Sequence, residues 1–198
     1  MKYKSMKFRI YKAVLKGLGD ITISPRFPFI GYGSCVYKVR ADEMRRVLSI
    51  LEPGDILLGR HDKYVGGKFV PGFYSHAAIY VGENTVVHAI GDGVGTEDIL
   101  CFLRRDWVAV IKTPDISRDC VVKTAKSKEG LDYDWLFDNK CPERFSCTEL
   151  VEFCIENTQH KETKIEAHGL SKGCVRPDAF LDIGWEIKHE SRFFRKSP

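Results

Sequence analysis

Residues 145–156 combine a helix start, an apolar stripe and a cysteine, and no other stretch restricts the fold of the chain as strongly. Ser146 can cap a helix, and Glu149 stands three positions later at the capping-box spacing. The stripe falls at i, i+3, i+4, i+7 and i+8, on Cys147, Leu150, Val151, Cys154 and Ile155. Cys147 is therefore predicted on the buried face in the first helical turn, where the helix dipole favours a thiolate. It is either a nucleophile or, like most buried cysteines, a small core residue.

The composition fits a folded domain and excludes several other classes of protein. With 198 residues, 43% of them hydrophobic and 29% charged, the chain can form one domain with a substantial core. No apolar run approaches the ~18 residues of a membrane span, and a net charge of +4 gives no reason to expect a nucleic-acid partner.

The cysteines and the N-terminus indicate the compartment. Seven cysteines without C-x-x-C spacing predict reduced thiols and argue against a disulfide framework and a structural zinc site. The N-terminal residues are basic but lack the pattern of a signal peptide. We therefore expect a cytoplasmic location.

Three segments are predicted along the chain. Residues 1–40 hold a basic amphipathic helix, over 2–18, and an irregular connection. Residues 41–188 form the main domain, and residues 189–198 are a basic, frayed tail. The helix over 2–18 can contact an anionic membrane surface or pack its apolar face on its own domain. We expect the second arrangement.

The main domain, residues 41–188, is predicted to mix helices and strands. The patterns indicate helices over 42–51 and 116–129, strands over 55–59, 106–112 and 180–188, and a long loop over 60–75. A loop of this length in a compact domain is often functional.

Residues 75–90 are predicted to form a β-hairpin that carries two histidines. A three-residue loop over 82–84, with its last residue in the left-handed conformation, would pair Ala78 with His88. His76 and His88 would then be diagonal neighbours on one face, whereas a two-residue loop would send them to opposite faces. We expect the three-residue loop.

A cysteine nucleophile needs a base and a group that orients the base, and the hairpin supplies candidates for both. Four motifs occur in order along the chain: Pro53-Gly-Asp-Ile-Leu-Leu58, Val70-Pro-Gly-Phe-Tyr-Ser-His-Ala-Ala-Ile-Tyr-Val-Gly82, Gly130-x-x-Tyr133-Asp134 and Phe145-Ser-Cys-Thr-Glu-Leu-Val151. Over residues 45–182, this order resembles the circularly permuted NlpC-type cysteine hydrolases. That group includes the YiiX-like proteins and, more distantly, the lecithin:retinol acyltransferase family.

The resemblance implies an α+β, permuted papain-like fold, in which an antiparallel sheet packs against a helix with the nucleophilic cysteine at its N-terminus. It assigns Cys147 as nucleophile, His76 as base and His88 as the third group. Many YiiX-like relatives carry a carboxylate at this third position, so His88 looks more like the acyltransferase branch. The alternatives that stay open are that His88 is a core histidine and that the third group is Glu97, Asp92 or Asp98.

The oxyanion of the reaction also has candidate donors. The backbone N–H of Cys147 lies at a helix N-terminus, where it can donate to a developing negative charge. The resemblance suggests that Tyr133 adds its hydroxyl, although a packed aromatic residue explains Tyr133 equally well. Ser146 is a further candidate for positioning the substrate.

The implied function is a cysteine-dependent acyl-bond hydrolase of the amidase or peptidase type, acting through a thioacyl enzyme. The alternatives are a lipid acyltransferase, thioesterase or phospholipase-like enzyme on the same site, and a catalytically silent binding module. The expected partner is a peptide or a lipid acyl substrate. We expect no cofactor and no metal. A metal site could in principle be formed by Cys147, His76 and His88, but a cysteine that begins a helix is better placed to act as a nucleophile than as a metal ligand.

Overall fold

The structure, a computed structural model, describes residues 6–19, 21–23, 30–32, 37–113, 115–137, 141–156 and 175–194. Its helices are α1 (Met6–Gly19), α2 (Ala41–Ile50), α3 (Ile99–Leu103), α4 (Asp115–Ser127), α5 (Cys147–Glu156) and α6 (Ser191–Phe194), with short 3₁₀ turns at Gly66–Lys68 and Pro177–Leu181. Its strands are β1 (Ile21–Ile23), β2 (Ile30–Tyr32), β3 (Ile56–Arg60), β4 (His76–Gly82), β5 (Thr85–Ile90), β6 (Gly93–Asp98), β7 (Trp107–Ile111), β8 (Asp132–Tyr133), β9 (Arg144–Phe145) and β10 (Ile187–Glu190).

A six-stranded antiparallel sheet organises the described part of the chain. Its strand order is β10-β7-β3-β4-β5-β6, so the hairpin β4–β5 lies next to the buried strand β3. The apolar runs of β3 and β7 are buried on both faces, as expected for central strands covered on two sides. Helices pack on both faces, which confirms the predicted α+β class.

Each face of the sheet carries its own apolar core. On one face, Ile56, Leu58, Ala77 and Ile79 pack with Leu150, Val151, Cys154 and Ile155 of α5 and with α4. On the other face, Leu57, Ala78 and Val86 pack with Val47 of α2 and with Phe102 of α3. The stripe predicted for residues 147–155 is therefore buried as a unit, which confirms the periodicity of α5.

The β4–β5 hairpin keeps the predicted strand register but reaches it by a different turn. Ile79 pairs with Val87, which sets Ala78 opposite His88 as predicted. The loop, however, has two residues rather than three, and a β-bulge at Gly82, which has a φ of +90°, supplies the extra residue. The predicted three-residue loop is therefore wrong, while the pairing predicted from it is confirmed.

The N-terminal segment differs from its prediction in two respects. The connection over 19–40 contains the β1–β2 hairpin instead of being irregular throughout. In α1, Met6, Ile10 and Val14 are 69%, 58% and 53% exposed, so the expectation that the apolar face packs on the domain is wrong for these side chains. The helix contacts the domain near the turn at 66–68. Residues 2–5 of the predicted helix lie outside the described residues.

The packed structure extends closer to the C-terminus than predicted. The strand predicted over 180–188 is a 3₁₀ turn followed by β10, and residues 189–191 are buried. Buried Glu43 of α2 accounts for this, because its carboxylate lies 3.1 Å from His189 Nε2 and accepts a hydrogen bond from the Ser191 hydroxyl. The predicted frayed tail is therefore ordered through residue 194, and residues 195–198 lie outside the described part.

Candidate active site

Helix α5 begins at Cys147 because a reciprocal capping box closes its first turn. The Ser146 backbone N–H donates to Glu149 Oε2 at 2.7 Å, and the Glu149 backbone N–H donates to the Ser146 hydroxyl at 3.4 Å. Both capping residues are buried, and Cys147 is only 8% exposed. The predicted cap is confirmed, and the Ser146 hydroxyl serves the start of the helix.

The two hairpin histidines contact one another directly. His76 Nε2 lies 3.0 Å from His88 Nδ1, within hydrogen-bond distance. Their rings meet edge to face with centroids 5.1 Å apart, and the ring of Phe102 in α3 lies beneath both. The prediction that the two histidines share one face is confirmed.

A carboxylate lies one step beyond the histidine pair. Glu97 stands on β6, next to β5, rather than in a loop beyond the hairpin, and its Oε2 is 3.9 Å from His88 Nδ1. This buried oxygen has no hydrogen-bond partner among the described residues. Asp98 instead caps α3 by accepting the Leu100 backbone N–H at 2.8 Å. Glu97 therefore approaches His88, whereas the Asp98 carboxylate is used to cap α3.

The surroundings of the two histidines favour their neutral forms. Burial lowers the pKa of His76 well below its ordinary value, and the positive charge of Arg105 lowers it further, as do His88 and His61. Burial, followed by Arg105, lowers the pKa of His88 to about 4. Near neutral pH the pair therefore consists of two uncharged rings, one donating its N–H and the other accepting.

Arg105 is a buried cation beside this pair. Its guanidinium carbon lies 3.8 Å from the centroid of the Phe102 ring, whose other neighbours are His76 and His88. Burial lowers the pKa of Arg105 to about 10, and nearby acidic groups, Glu97 first and Cys147 second, oppose this shift. Arg105 is thus an electrostatic neighbour of the cysteine and of both histidines.

The cysteine and the histidines come from different layers of the fold. Strand alternation directs His76 toward α2 and α3, whereas Ala77 and Ile79 face the body of α5. Arg105 lies on the histidine face, yet the charge of Cys147 acts on it. The body of α5 and the two histidines therefore lie on opposite faces of the sheet.

Tyr133 lies beside the start of α5. Strand β8 pairs in parallel with β9, which sets Tyr133 opposite Phe145, two residues before Cys147. The half-buried tyrosine ring packs against Trp135, with centroids 4.8 Å apart. The packing expected for this aromatic residue is therefore present next to the cysteine.

Residues 50–188 match the sequence model of a family described as permuted papain-like amidase enzymes, YaeF/YiiX, C92 family. The chain belongs to this family. No curated protein matches it. Among solved structures, the crystal structure of the metalloprotein yiiX from Escherichia coli O157:H7 matches with a TM-score of 0.55 and 19% sequence identity, covering 69% of this chain and 95% of that one. At this identity the likeness concerns the fold alone.

Membership in the YaeF/YiiX family confirms the permuted papain-like fold predicted from the ordered motifs. It also makes the chain a hydrolase of the papain-like type. Its relative is described as a metalloprotein. Within the residues described here, however, no three His, Cys, Asp or Glu side chains are arranged to hold a metal ion, and the facing nitrogens of His76 and His88 are engaged with each other. The described residues thus offer no set of side chains that fits a metal ion, and no step below involves one.

In this member of the YaeF/YiiX family, sequence reasoning missed three residues around the site. These residues are Arg105, His61 and Asp178. Asp178 lies far along the chain from the loop before β4 that it holds in place. Its carboxylate accepts the backbone N–H groups of Phe73 and Tyr74, each at 3.0 Å, just before β4 begins. A glycine inside a strand, Gly59, was the available signal for Arg105, because such glycines often mark a close approach.

No helix in the described part of the chain is long and apolar enough to cross a membrane.

Proposed function

We propose that the protein hydrolyses an amide bond by nucleophilic catalysis, with Cys147 as nucleophile and His76 as general base. The observation that carries this proposal is the 3.0 Å contact between His76 and His88, in a chain whose Cys147 begins a capped helix. A base oriented by a second hydrogen-bonded group is the arrangement that activates a thiol. Family membership supports the amide as substrate class.

In the proposed reaction, a neutral His76 accepts the thiol proton as the Cys147 sulfur attacks the substrate carbonyl. The tetrahedral intermediate collapses to a thioacyl enzyme when the C–N bond breaks, and the His76 imidazolium returns its proton to the leaving amine. Water then attacks the thioester carbonyl, its proton passing to His76 and from there to the departing sulfur. The acid is released, and the free thiol is restored.

His88 is proposed to orient the base. If the His76 Nε2–H donates to His88 Nδ1, the Nδ1 of His76 keeps the lone pair that accepts the proton. The Glu97 carboxylate, 3.9 Å from His88 Nδ1, would stabilise the positive charge that the pair carries while His76 holds that proton.

The oxyanion is proposed to be stabilised at the start of α5. The backbone N–H of Cys147 belongs to the first turn of the helix, where the helix dipole favours a developing negative charge. The hydroxyl of Tyr133 is the proposed second donor, supported by the pairing of Tyr133 with Phe145.

The nucleophile is tested by the reactivity of the individual cysteines. Alkylation with iodoacetamide at pH 7, followed by mass spectrometry of peptides, should label Cys147 faster than the exposed Cys101, although Cys147 is only 8% exposed. Equal or slower labelling of Cys147 would contradict the nucleophile assignment.

The base and the substrate class are tested together. Wild type, Cys147→Ala, His76→Ala and His88→Ala are incubated with a cell-wall-type peptide and, in parallel, with a short-chain phospholipid. We expect amide cleavage in the wild type, none in Cys147→Ala, and a loss of about 10²–10⁴-fold in His76→Ala, the range typical of a general base. Undiminished cleavage in His76→Ala would refute its role.

A lipid acyl substrate is the second candidate, and the exposed face of α1 favours it. Met6, Ile10 and Val14 project from one side of this helix, and Lys7 and Arg9 beside them are exposed. Apolar side chains flanked by cations suit the surface of an anionic membrane. We propose that α1 contacts such a surface and brings the hydrolase to acyl lipids.

Vesicle flotation tests this second candidate. Wild type should float with vesicles of phosphatidylserine and phosphatidylcholine, and the double variant Ile10→Ser, Val14→Ser should partition at least about tenfold less, because burial of such side chains is worth ~1.5–3 kcal/mol each. Leu100→Ser, which alters an apolar residue that is 48% exposed on α3, serves as the control. Equal flotation of the double variant and the control would contradict the proposal.

A further inference from the structure

Helix α1 rests on the rest of the protein with one face only. Phe8, Lys12 and Leu15, at positions i, i+4 and i+7, are half-buried and share this inner face. The outer face carries the exposed apolar side chains described above. Just beyond the helix, the carbonyl of Ile21 accepts the backbone N–H of Val65 at 2.9 Å, which anchors the C-terminal end of α1.

The helix contacts the domain beside the proposed base. This contact is made with the turn at Gly66–Lys68, in the loop between β3 and β4. The turn lies against Ser75, because a Cβ at Gly67 would stand only 3.0 Å from Ser75 Oγ. Ser75 directly precedes His76, so one contact of α1 lies on the base side of the site.

The same helix also contacts the domain beside the proposed nucleophile. Lys12 Nζ lies 5.9 Å from the centroid of the Trp135 ring. Trp135 packs against Tyr133, which is paired with Phe145, two residues before Cys147. Helix α1 therefore extends from the base side of the site to the nucleophile side, and Cys147 is only 8% exposed.

We propose that α1 is a lid across the entrance to the site and that an anionic membrane holds it open. The inference rests on the proposed function, in which Cys147 is the nucleophile and α1 contacts such a membrane. Charge favours this partner, because α1 contains four basic residues and no acidic one. The lid adds regulation to the site, since the closed helix restricts the access of substrate until the membrane is reached.

A membrane opens a lid only if it binds the open state more tightly than the closed one. In the closed state α1 offers the membrane only its outer face. A released helix can also bury Phe8 and Leu15 in the lipid, and Lys12, no longer beside Trp135, can reach the anionic headgroups. The open state therefore gains both apolar burial and charge attraction at the membrane.

The experiment compares two neutral thiol reagents of different size, N-ethylmaleimide and a maleimide that carries a polyethylene glycol chain. The ratio of the large-reagent rate to the small-reagent rate reports access to Cys147 and cancels the intrinsic reactivity of the thiol. Vesicles of phosphatidylserine and phosphatidylcholine should raise this ratio at least about tenfold, because a mostly closed lid is open about 10% of the time or less. Phosphatidylcholine alone should leave it unchanged. The exposed Cys101 is the internal reference.

A matched pair of variants tests the closed state without vesicles. Lys12→Gln removes the contact with Trp135 and should raise the ratio about two- to fivefold, the strength of an exposed cation–π contact. Lys7→Gln removes the same charge from an exposed position of the same helix and should leave the ratio unchanged. The double variant Ile10→Ser, Val14→Ser should keep the wild-type ratio and lose most of the response to anionic vesicles.

The outcomes separate the lid from the proposed function. The lid is overturned if wild type floats with anionic vesicles while the ratio at Cys147 changes no more than at Cys101, or if Lys12→Gln matches Lys7→Gln. A ratio that rises with protein concentration in the absence of vesicles would make a second copy of the chain the partner and overturn the membrane. A Cys147 that reacts with N-ethylmaleimide no faster than Cys101 would contradict the nucleophile instead, whatever the ratio.

Discussion

The neutral state of the buried histidine pair predicts that the protein loses stability in mild acid. The pKa of His88 is lowered from 6.5 to about 4 by burial first and by Arg105 second, and the pKa of His76 is lowered as well. Below pH 6.5 the unfolded chain therefore binds protons that the folded protein does not. Stability from His88 is fully present above pH 6.5 and is lost as the pH falls toward 4.

The size of the effect follows from these two values. Between pH 6.5 and 4, one such group reduces the free energy of unfolding by about 1.4 kcal/mol per pH unit. At pH 5, His88 alone accounts for a loss of about 2 kcal/mol relative to neutral pH. That is a large part of the 5–15 kcal/mol typical of a domain, and His76 adds to it in the same direction.

The assay is urea unfolding, followed by circular dichroism, at pH 7.5, 6 and 5. We compare wild type with His88→Asn, in which an amide stands near the position of Nδ1 but cannot titrate. The variant should be less stable at pH 7.5, because the contact with His76 is altered, yet it should lose about 2 kcal/mol less than wild type between pH 7.5 and 5.

Phe102→Leu is the control for this comparison, because it loosens the packing under both histidines without removing a titratable group. It should lower stability at every pH and keep the wild-type slope. If His88→Asn keeps that slope too, His88 titrates in the folded state near its ordinary pKa, and the argument for a neutral pair fails.

Two further contacts give predictions of stability and order. Ser146→Ala and Glu149→Ala should each reduce the free energy of unfolding by about 1 kcal/mol in urea titrations, because each removes half of the capping box. Because the two hydrogen bonds form one motif, the double variant should be no less stable than either single variant. Asp178→Asn should speed amide hydrogen exchange at Phe73 and Tyr74, whose N–H groups it holds, and unchanged exchange there would contradict the assigned anchor.

The start of α5 could be predicted from the sequence because its determinants are local. Ser146 and Glu149 are three residues apart and each side chain bonds to the other residue's backbone N–H. The apolar stripe is read directly from the spacing of residues 147–155. The same locality made the ordered motifs sufficient to identify the family. What they could not give is the set of groups brought to the site by distant parts of the chain.

Strand β6 and helix α3 were missed because their residues have weak local preferences. Glycines at 91, 93 and 95 indicate a turn, and acidic residues 97 and 98 are uncommon in strands, yet β6 forms because it pairs along the whole length of β5. Missing these elements concealed Phe102 and Arg105, which lie on the histidine face only because α3 crosses it. Asp178 was hidden for a similar reason, as its contact with Phe73 spans 105 positions.

The hairpin turn explains how a wrong loop length still led to the right histidine pair. Glu83 and Asn84 have φ values of +51° and +57°, which suit the tight two-residue turn favoured by the twist of paired strands. Such a turn alone would have sent His76 and His88 to opposite faces. The bulge at Gly82 adds one residue to one strand only and so restores the shared face, in a backbone conformation that a residue with a side chain rarely adopts. The contact between the proposed base and its partner thus depends on a glycine six residues from His76, which carries no chemistry of its own.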